Sequence, residues 1–108
     1  MIGIDPGPEQ SAVITIHADG RIESYGLLAN HDVRALLHNG FPKRTGIVIE
    51  DVTCYGMAVG RDVFETIFWI GRFFDVAVER ELNVVRLPRA DVKMILCNSR
   101  AAKDANVR

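Results

Sequence analysis

The sequence has few cysteines, no clustered histidines and no unbroken apolar run long enough to cross a bilayer, and each shortage removes a class of function. Cys54 and Cys97 stand far apart with no C-x-x-C pair, and neither has a histidine close by in sequence. They read as small buried or loop side chains rather than as nucleophiles. His17, His31 and His38 fall on a predicted strand, a helix start and a helix end, whereas a zinc site needs converging ligands. The longest apolar stretch, residues 63–82, is interrupted by Glu65, Arg72, Asp75 and Glu79, charges too costly for a membrane span. No charged-then-apolar leader precedes Ile2, so the expected compartment is a reducing cytoplasm with no membrane partner. Internal repeats, linkers and low-complexity tracts are also missing, and Gly7, Gly20 and Gly26 do not form a phosphate loop.

What is present is globular. The 108 residues, 48% hydrophobic and 25% charged, suit one domain with one core. The net charge of −1 hides an asymmetry: residues 1–85 carry seven Lys/Arg against twelve Asp/Glu, and residues 86–108 carry six against two. A basic end of this kind suits either phosphate contact or a solvated surface helix.

Ile2-Gly3-Ile4-Asp5 is an apolar run stopped by Pro6-Gly7-Pro8, which reads as a strand entering a turn with Asp5 at its end. Residues 11–17 form a β-rich run, Asp19-Gly20 is a two-residue hairpin signal, and residues 21–28 are the return strand. Asn30 is placed to cap a helix whose apolar face is Val33, Leu36 and Leu37, with Asn39-Gly40 as a left-handed stop. Residues 45–49 are apolar and β-branched, as in a strand covered on both faces, and end at Glu50-Asp51. From 62 to 82 the period is helical, with Phe64, Ile67, Phe68, Gly71, Phe74 and Val78 on one side. Trp69, Phe73 and Val76 widen the apolar surface beyond what one sheet needs, and five of the chain's eight aromatic residues fall here. Residues 83–87 read as a further strand, Pro88 as the first turn of a helix through Leu96, and Ser99 as the cap of another helix. Three hairpin-linked strands followed by alternating helices and strands predict an α/β fold: a five-stranded mixed sheet with helices on both faces.

Asp5 and Glu50 end the first and fourth predicted strands. If those strands are parallel neighbours, both carboxylates emerge at one sheet edge, where open α/β sheets place ligands. Two such acids supply much of what Mg²⁺ asks for, since it takes a few carboxylates and keeps several waters. Taken singly, Asp5 also reads as a turn residue before Pro-Gly, and Glu50 as a surface acid past a strand end. Asp51 is second choice, because side chains alternate across a strand and adjacent residues cannot both face one ion.

With these residues in place, Ile2-Gly3-Ile4-Asp5-Pro6-Gly7 resembles the opening motif of the RuvC-type Holliday-junction resolvases, nucleases of the RNase H-like fold. Ile49-Glu50-Asp51-Val52 is similar to their second acidic motif, and residues 87–108 resemble their basic helical region, with Lys93 and Lys103 in matching places. The resemblance implies an RNase H-like sheet and phosphodiester hydrolysis with Mg²⁺, for which Mn²⁺ substitutes, at four-way DNA junctions within a homodimer. Asp5 is the implied bridging ligand and Glu50 a second ligand. Lys93 and Lys103 would contact phosphates, and Tyr55, in the loop after the acidic strand, either stacks on junction bases or packs on its own loop. The family brings a further acidic pair to the same ions, and the sequence ends at Arg108 without it. Asp104 is the one acid nearby and reads as a surface residue beside Lys103. The expectation is therefore a single RNase H-like domain over 1–108 that stops short of the last acidic motif. Two other functions share the pattern: a catalytically silent DNA-binding or assembly module, and an actin-like or sugar-kinase-like ATPase domain. The ATPase is disfavoured by length and by the lack of phosphate loops.

Overall fold

A computed structural model describes residues 1–52, 60–88 and Asp91. Its elements run β1 (Ile2–Asp5), β2 (Gln10–Ile16), β3 (Ile22–Ala29), α1 (Asn30–Asn39), β4 (Gly46–Asp51), α2 (Arg61–Glu79) and β5 (Asn83–Pro88). The sheet order is β3-β2-β1-β4-β5. β1 pairs antiparallel with β2, β2 antiparallel with β3, and β4 lies parallel to both β1 and β5. This is the expected mixed sheet: a hairpin meander on one side and parallel strands joined through α2 on the other.

One face of the sheet makes the core. Ile2 and Ile4 of β1 stand beside Ile47 and Ile49 of β4, all nearly inaccessible, and they cluster with Val33 and Leu37 of α1 and with Trp69, Ile70, Phe73, Val76 and Ala77 of α2. Both described helices, α1 and α2, therefore lie on the same face. The stripe of α2 turned to the sheet is 66, 69, 70, 73, 76 and 77. Of the stripe singled out in the sequence, Phe64, Ile67, Phe68 and Val78 are exposed, whereas Phe74 is half-buried and packs against the core. Both stripes have helical spacing, so periodicity alone does not say which one meets the sheet.

Several local readings are corrected. The β2–β3 connection closes through His17 N–H donating to Arg21 C=O, around a three-residue loop in which Gly20 has φ 87°. It is the longer hairpin with a left-handed third residue, not the two-residue one. His17 lies just past β2. Gly40 is right-handed (φ −90°, ψ −10°), and it is glycine because a Cβ there would strike Leu36. Pro88 closes β5 rather than opening a helix, which an edge position permits since its missing N–H faces no further strand. Val48 and Val85 are only partly covered or exposed, so β4 is fully packed on one face only. Of the predicted helix through Leu96 only Asp91 is described, and it is helical; the rest of that helix and the one expected from Ser99 lie outside the described residues.

Candidate functional site

Parallel pairing fixes which side chains share a face. β1 and β4 run in register through Ile2 with Ile47, Gly3 with Val48 and Ile4 with Ile49, so Asp5 and Glu50 occupy the next step. Because Ile4 and Ile49 point into the core, alternation turns both acids to the opposite face. Asp5 pairs with Ala12 of β2, Ala12 with Leu27 of β3, and Glu50 with Leu87 of β5. The two acids are thus the centre of a row that crosses all five strands at the carboxyl ends of β1 and β4. Neighbouring strands are about 4.8 Å apart, a span that two carboxylates can close around one hard cation. Asp5 is exposed and Glu50 half-buried, so water reaches at least part of this row. Both donors are oxygens, which fits Mg²⁺ or Mn²⁺ rather than a thiolate-seeking metal. Among the described residues no group of three or more His, Cys, Asp or Glu converges on one point.

Asp51 takes no part in that row. It lies on the helix side, where one carboxylate oxygen accepts the Val52 N–H at 3.0 Å and the other sits 3.7 Å from Arg86 Nε. Arg86 in turn lies over the Phe74 ring of α2, 5.6 Å from its centroid. The alternation that made Asp51 second choice is what separates it from Asp5 and Glu50. Tyr55, Lys93, Lys103 and Asp104 fall outside the described residues. None of the three histidines shares a metal-binding cluster with other described residues; His31 packs edge-on against Trp69 with centroids 4.9 Å apart.

The turn after Asp5 holds residues that the sequence reading did not assign to the site. Asn30 is not the helix cap; it is the first residue of α1, and Ala29 occupies the cap position. Its side chain is buried and donates through Nδ2 to the Gly7 carbonyl at 2.9 Å, while Oδ1 accepts the Ser11 hydroxyl at 2.6 Å. Ser11 Oγ also accepts the Gly7 N–H at 3.3 Å. The available signal was a serine next to the unbroken run Ala-Val-Ile-Thr-Ile, a polar residue at a position the strand turns inward.

No protein-family model and no curated protein sequence matches the chain significantly. Among solved structures the chain is similar to two of Thermus thermophilus RuvC, one of them in complex with a Holliday junction substrate. The complex superimposes with TM-score 0.63 at 16% identity, covering 86% of this chain and 66% of that one. The second structure gives TM-score 0.54 at 16% identity, covering 82% and 64%. The likeness establishes the fold: this chain has the RNase H-like α/β sheet of RuvC, and it spans just under two thirds of the length of the RuvC chains it matches. No described helix is long and apolar enough to cross a membrane.

Proposed function

We propose that the chain is a divalent-metal-dependent, structure-selective DNA endonuclease that resolves four-way junctions by phosphodiester hydrolysis in the cytoplasm. The observation that carries this reading is the row in which Asp5 and Glu50 stand side by side at the carboxyl ends of two parallel strands, on the face away from the core, in a sheet of RuvC type. The solved relative was captured with a Holliday junction substrate, which supports branched DNA as the partner.

When bound, a divalent ion supplies an activated water and charge neutralisation at the scissile phosphate. Asp5 would be the shared ligand and Glu50 the second. Their carboxylates anchor the charge at the sheet edge, and the exposed flank of Asp5 leaves room for the phosphate. Lys93 and Lys103 would hold flanking phosphates and Tyr55 would stack on a base. Two carboxylates hold one ion loosely, and a two-ion displacement needs more ligands, so cutting by the 108-residue chain should be weak.

The partner of α2 in this reading is a second copy. Phe64, Ile67, Phe68 and Val78 form an outward stripe centred on Gly71, where a Cβ would meet open space. An antiparallel copy crossing at Gly71 sets Phe64 against the partner's Val78 and Phe68 against the partner's Phe74. Sedimentation should give a dimer that Phe68→Glu dissociates; a monomer at high concentration would reject it.

The decisive test measures binding and cutting of synthetic four-way junctions with Mg²⁺, beside linear duplex of the same sequence. Preferential junction binding with weak cutting that Asp5→Asn and Glu50→Gln abolish is expected. Junction binding with no cutting under any metal would favour the silent module, and equal binding to linear duplex would sink the junction reading. Lys93→Ala or Lys103→Ala should each lower the slope of log K against log salt by about 0.9.

A further inference from the structure

Ser11 and Asn30 are each 1% exposed and, with Thr66, are the buried polar residues among those described. Burying a hydroxyl and an amide is costly unless their hydrogen bonds are made, and here they are made to each other and to the backbone of one residue. Gly7 N–H is taken by Ser11 Oγ and Gly7 C=O by Asn30 Nδ2. The Asn30 backbone N–H also donates to Glu9 C=O at 2.9 Å, so the loop between β1 and β2 is tied to the first residue of α1. Gly7 fits this clasp because a Cβ would strike the Gln10 carbonyl. Only Pro6, whose ring fixes its own φ, separates Gly7 from Asp5. Ser11 is the immediate neighbour of Ala12, the residue that Asp5 pairs with. The clasp therefore holds the turn that follows Asp5 and the β2 residue beside the one Asp5 pairs with.

A pair of apolar residues of the same shape would serve stability about as well as a satisfied polar pair. What the polar pair adds is a fixed location for one residue's backbone.

We infer that Ser11 and Asn30 are positioning residues for Asp5: by clamping the backbone N–H and C=O of Gly7, one in each of the two peptide groups that flank its Cα, they hold the Asp5 carboxylate where it can share an ion with Glu50. The inference rests on the metal-binding reading of Asp5. A ligand has to be held to within about 0.5 Å of its working geometry, and a strand's last residue is otherwise free to fray into the turn.

The test is a Mn²⁺ titration of the 108-residue chain followed by paramagnetic broadening of backbone amide signals. In the wild type, broadening should centre on Asp5 and Glu50. Ser11→Ala should keep a folded spectrum and raise the midpoint about tenfold, the usual scale for losing a group that orients a ligand. Ser11→Thr, which keeps the hydroxyl, should return the midpoint to the wild-type value. Thr66→Val is the structural control. It removes another buried hydroxyl, one that donates to the Asp62 carbonyl at 2.7 Å within α2, and should leave the midpoint unchanged.

A wild-type midpoint in folded Ser11→Ala, or an equal shift in Thr66→Val, would overturn the positioning role while leaving the metal reading intact. No broadening near Asp5 and Glu50 in the wild type would overturn both. Should Ser11→Ala fail to fold, Ser11→Cys keeps the volume with a much weaker donor and carries the same comparison.

Discussion

The two faces of the sheet come from the same five strands and differ in what covers them. On the helix side Ile2, Ile4, Ile47 and Ile49 are sealed under α1 and α2. On the other side Tyr25 and Leu27 are 67% and 62% exposed and Val85 is 48% exposed, and it is there that Asp5 and Glu50 stand. A carboxylate on the sealed face would be driven to its neutral form by desolvation or would need a buried partner. On the open face Asp5 is exposed and Glu50 half-buried. The fold thus divides labour by strand parity: residues with the parity of Ile4 supply stability, and residues with the parity of Asp5 are free to carry chemistry.

The largest effect that tests this division is on the sealed face. Phe73, fully buried among Trp69, Ile70 and Val76, should cost about 3–5 kcal/mol as Phe73→Ala, read from chemical denaturation. Tyr25→Ser on the open face should change stability by no more than about 0.5 kcal/mol. Comparable losses at both positions would mean that the open face is packed in solution, and the contrast between the faces would fall.

Next come the acids themselves. Asp5→Asn and Glu50→Gln remove the two acids one at a time, and Asp5→Asn, at an exposed position, should shift the stability of the metal-free chain by no more than about 0.5 kcal/mol. They should abolish stabilisation by Mn²⁺, which for wild type reaches about 2.7 kcal/mol at a hundredfold excess over the dissociation constant. Thermal melts with and without Mn²⁺ read both quantities. Mn²⁺ stabilisation that survives both changes would move the ion elsewhere on the molecule.

The sequence displayed the placement of the two open-face acids better than the closed-face packing, for physical reasons. Asp5 and Glu50 were legible because strand ends are punctuated by Pro-Gly and by paired acids, and because alternation separates Glu50 from Asp51. The mixed sheet followed from the hairpin meander and the alternating elements, whereas the adjacency of β1 and β4 came only with the structure. The outward stripe of α2 was not legible as outward, since Phe64, Phe68 and Val78 are as apolar as Trp69, Ile70 and Phe73 and only tertiary packing chooses between them. The role of Asn30 was hidden because a residue at a helix start satisfies capping rules whether its side chain bonds its own helix or, as here, a loop 23 residues earlier.

A smaller effect tests the parity rule within one strand. Asp51, with the parity of Ile49, is held toward Arg86 rather than toward the face of Asp5 and Glu50. Asp51→Asn should therefore leave Mn²⁺ stabilisation and junction cutting at wild-type level and cost at most about 1 kcal/mol of stability, the scale of a partly exposed pair. A loss of metal affinity as large as that of Glu50→Gln would show that the end of β4 twists enough to bring both acids to one ion.

The smallest effect lies at the other end of the parallel strands. Lys43 Nζ and Glu81 Oε2 are 2.6 Å apart before β4 and β5 begin, and the hydrogen bond from Lys43 holds the Glu81 carboxyl below its usual range. A depressed folded pKa means that the unfolded chain takes up the proton first as acid is added. The pair's contribution is therefore complete above the ordinary glutamate value of 4.5 and fades as pH falls through the lowered folded value. Both side chains are largely exposed, so solvent and salt screen the interaction. Lys43→Met should leave stability near neutral pH almost unchanged and flatten its decline slightly below pH 4.5, with a smaller difference at high salt. Because this pair lies at the opposite end of β4 from Glu50, the substitution should not alter the Mn²⁺ midpoint. A shifted midpoint would mean that the two ends of the parallel pair are coupled and that the site is not set by the local clasp around Asp5.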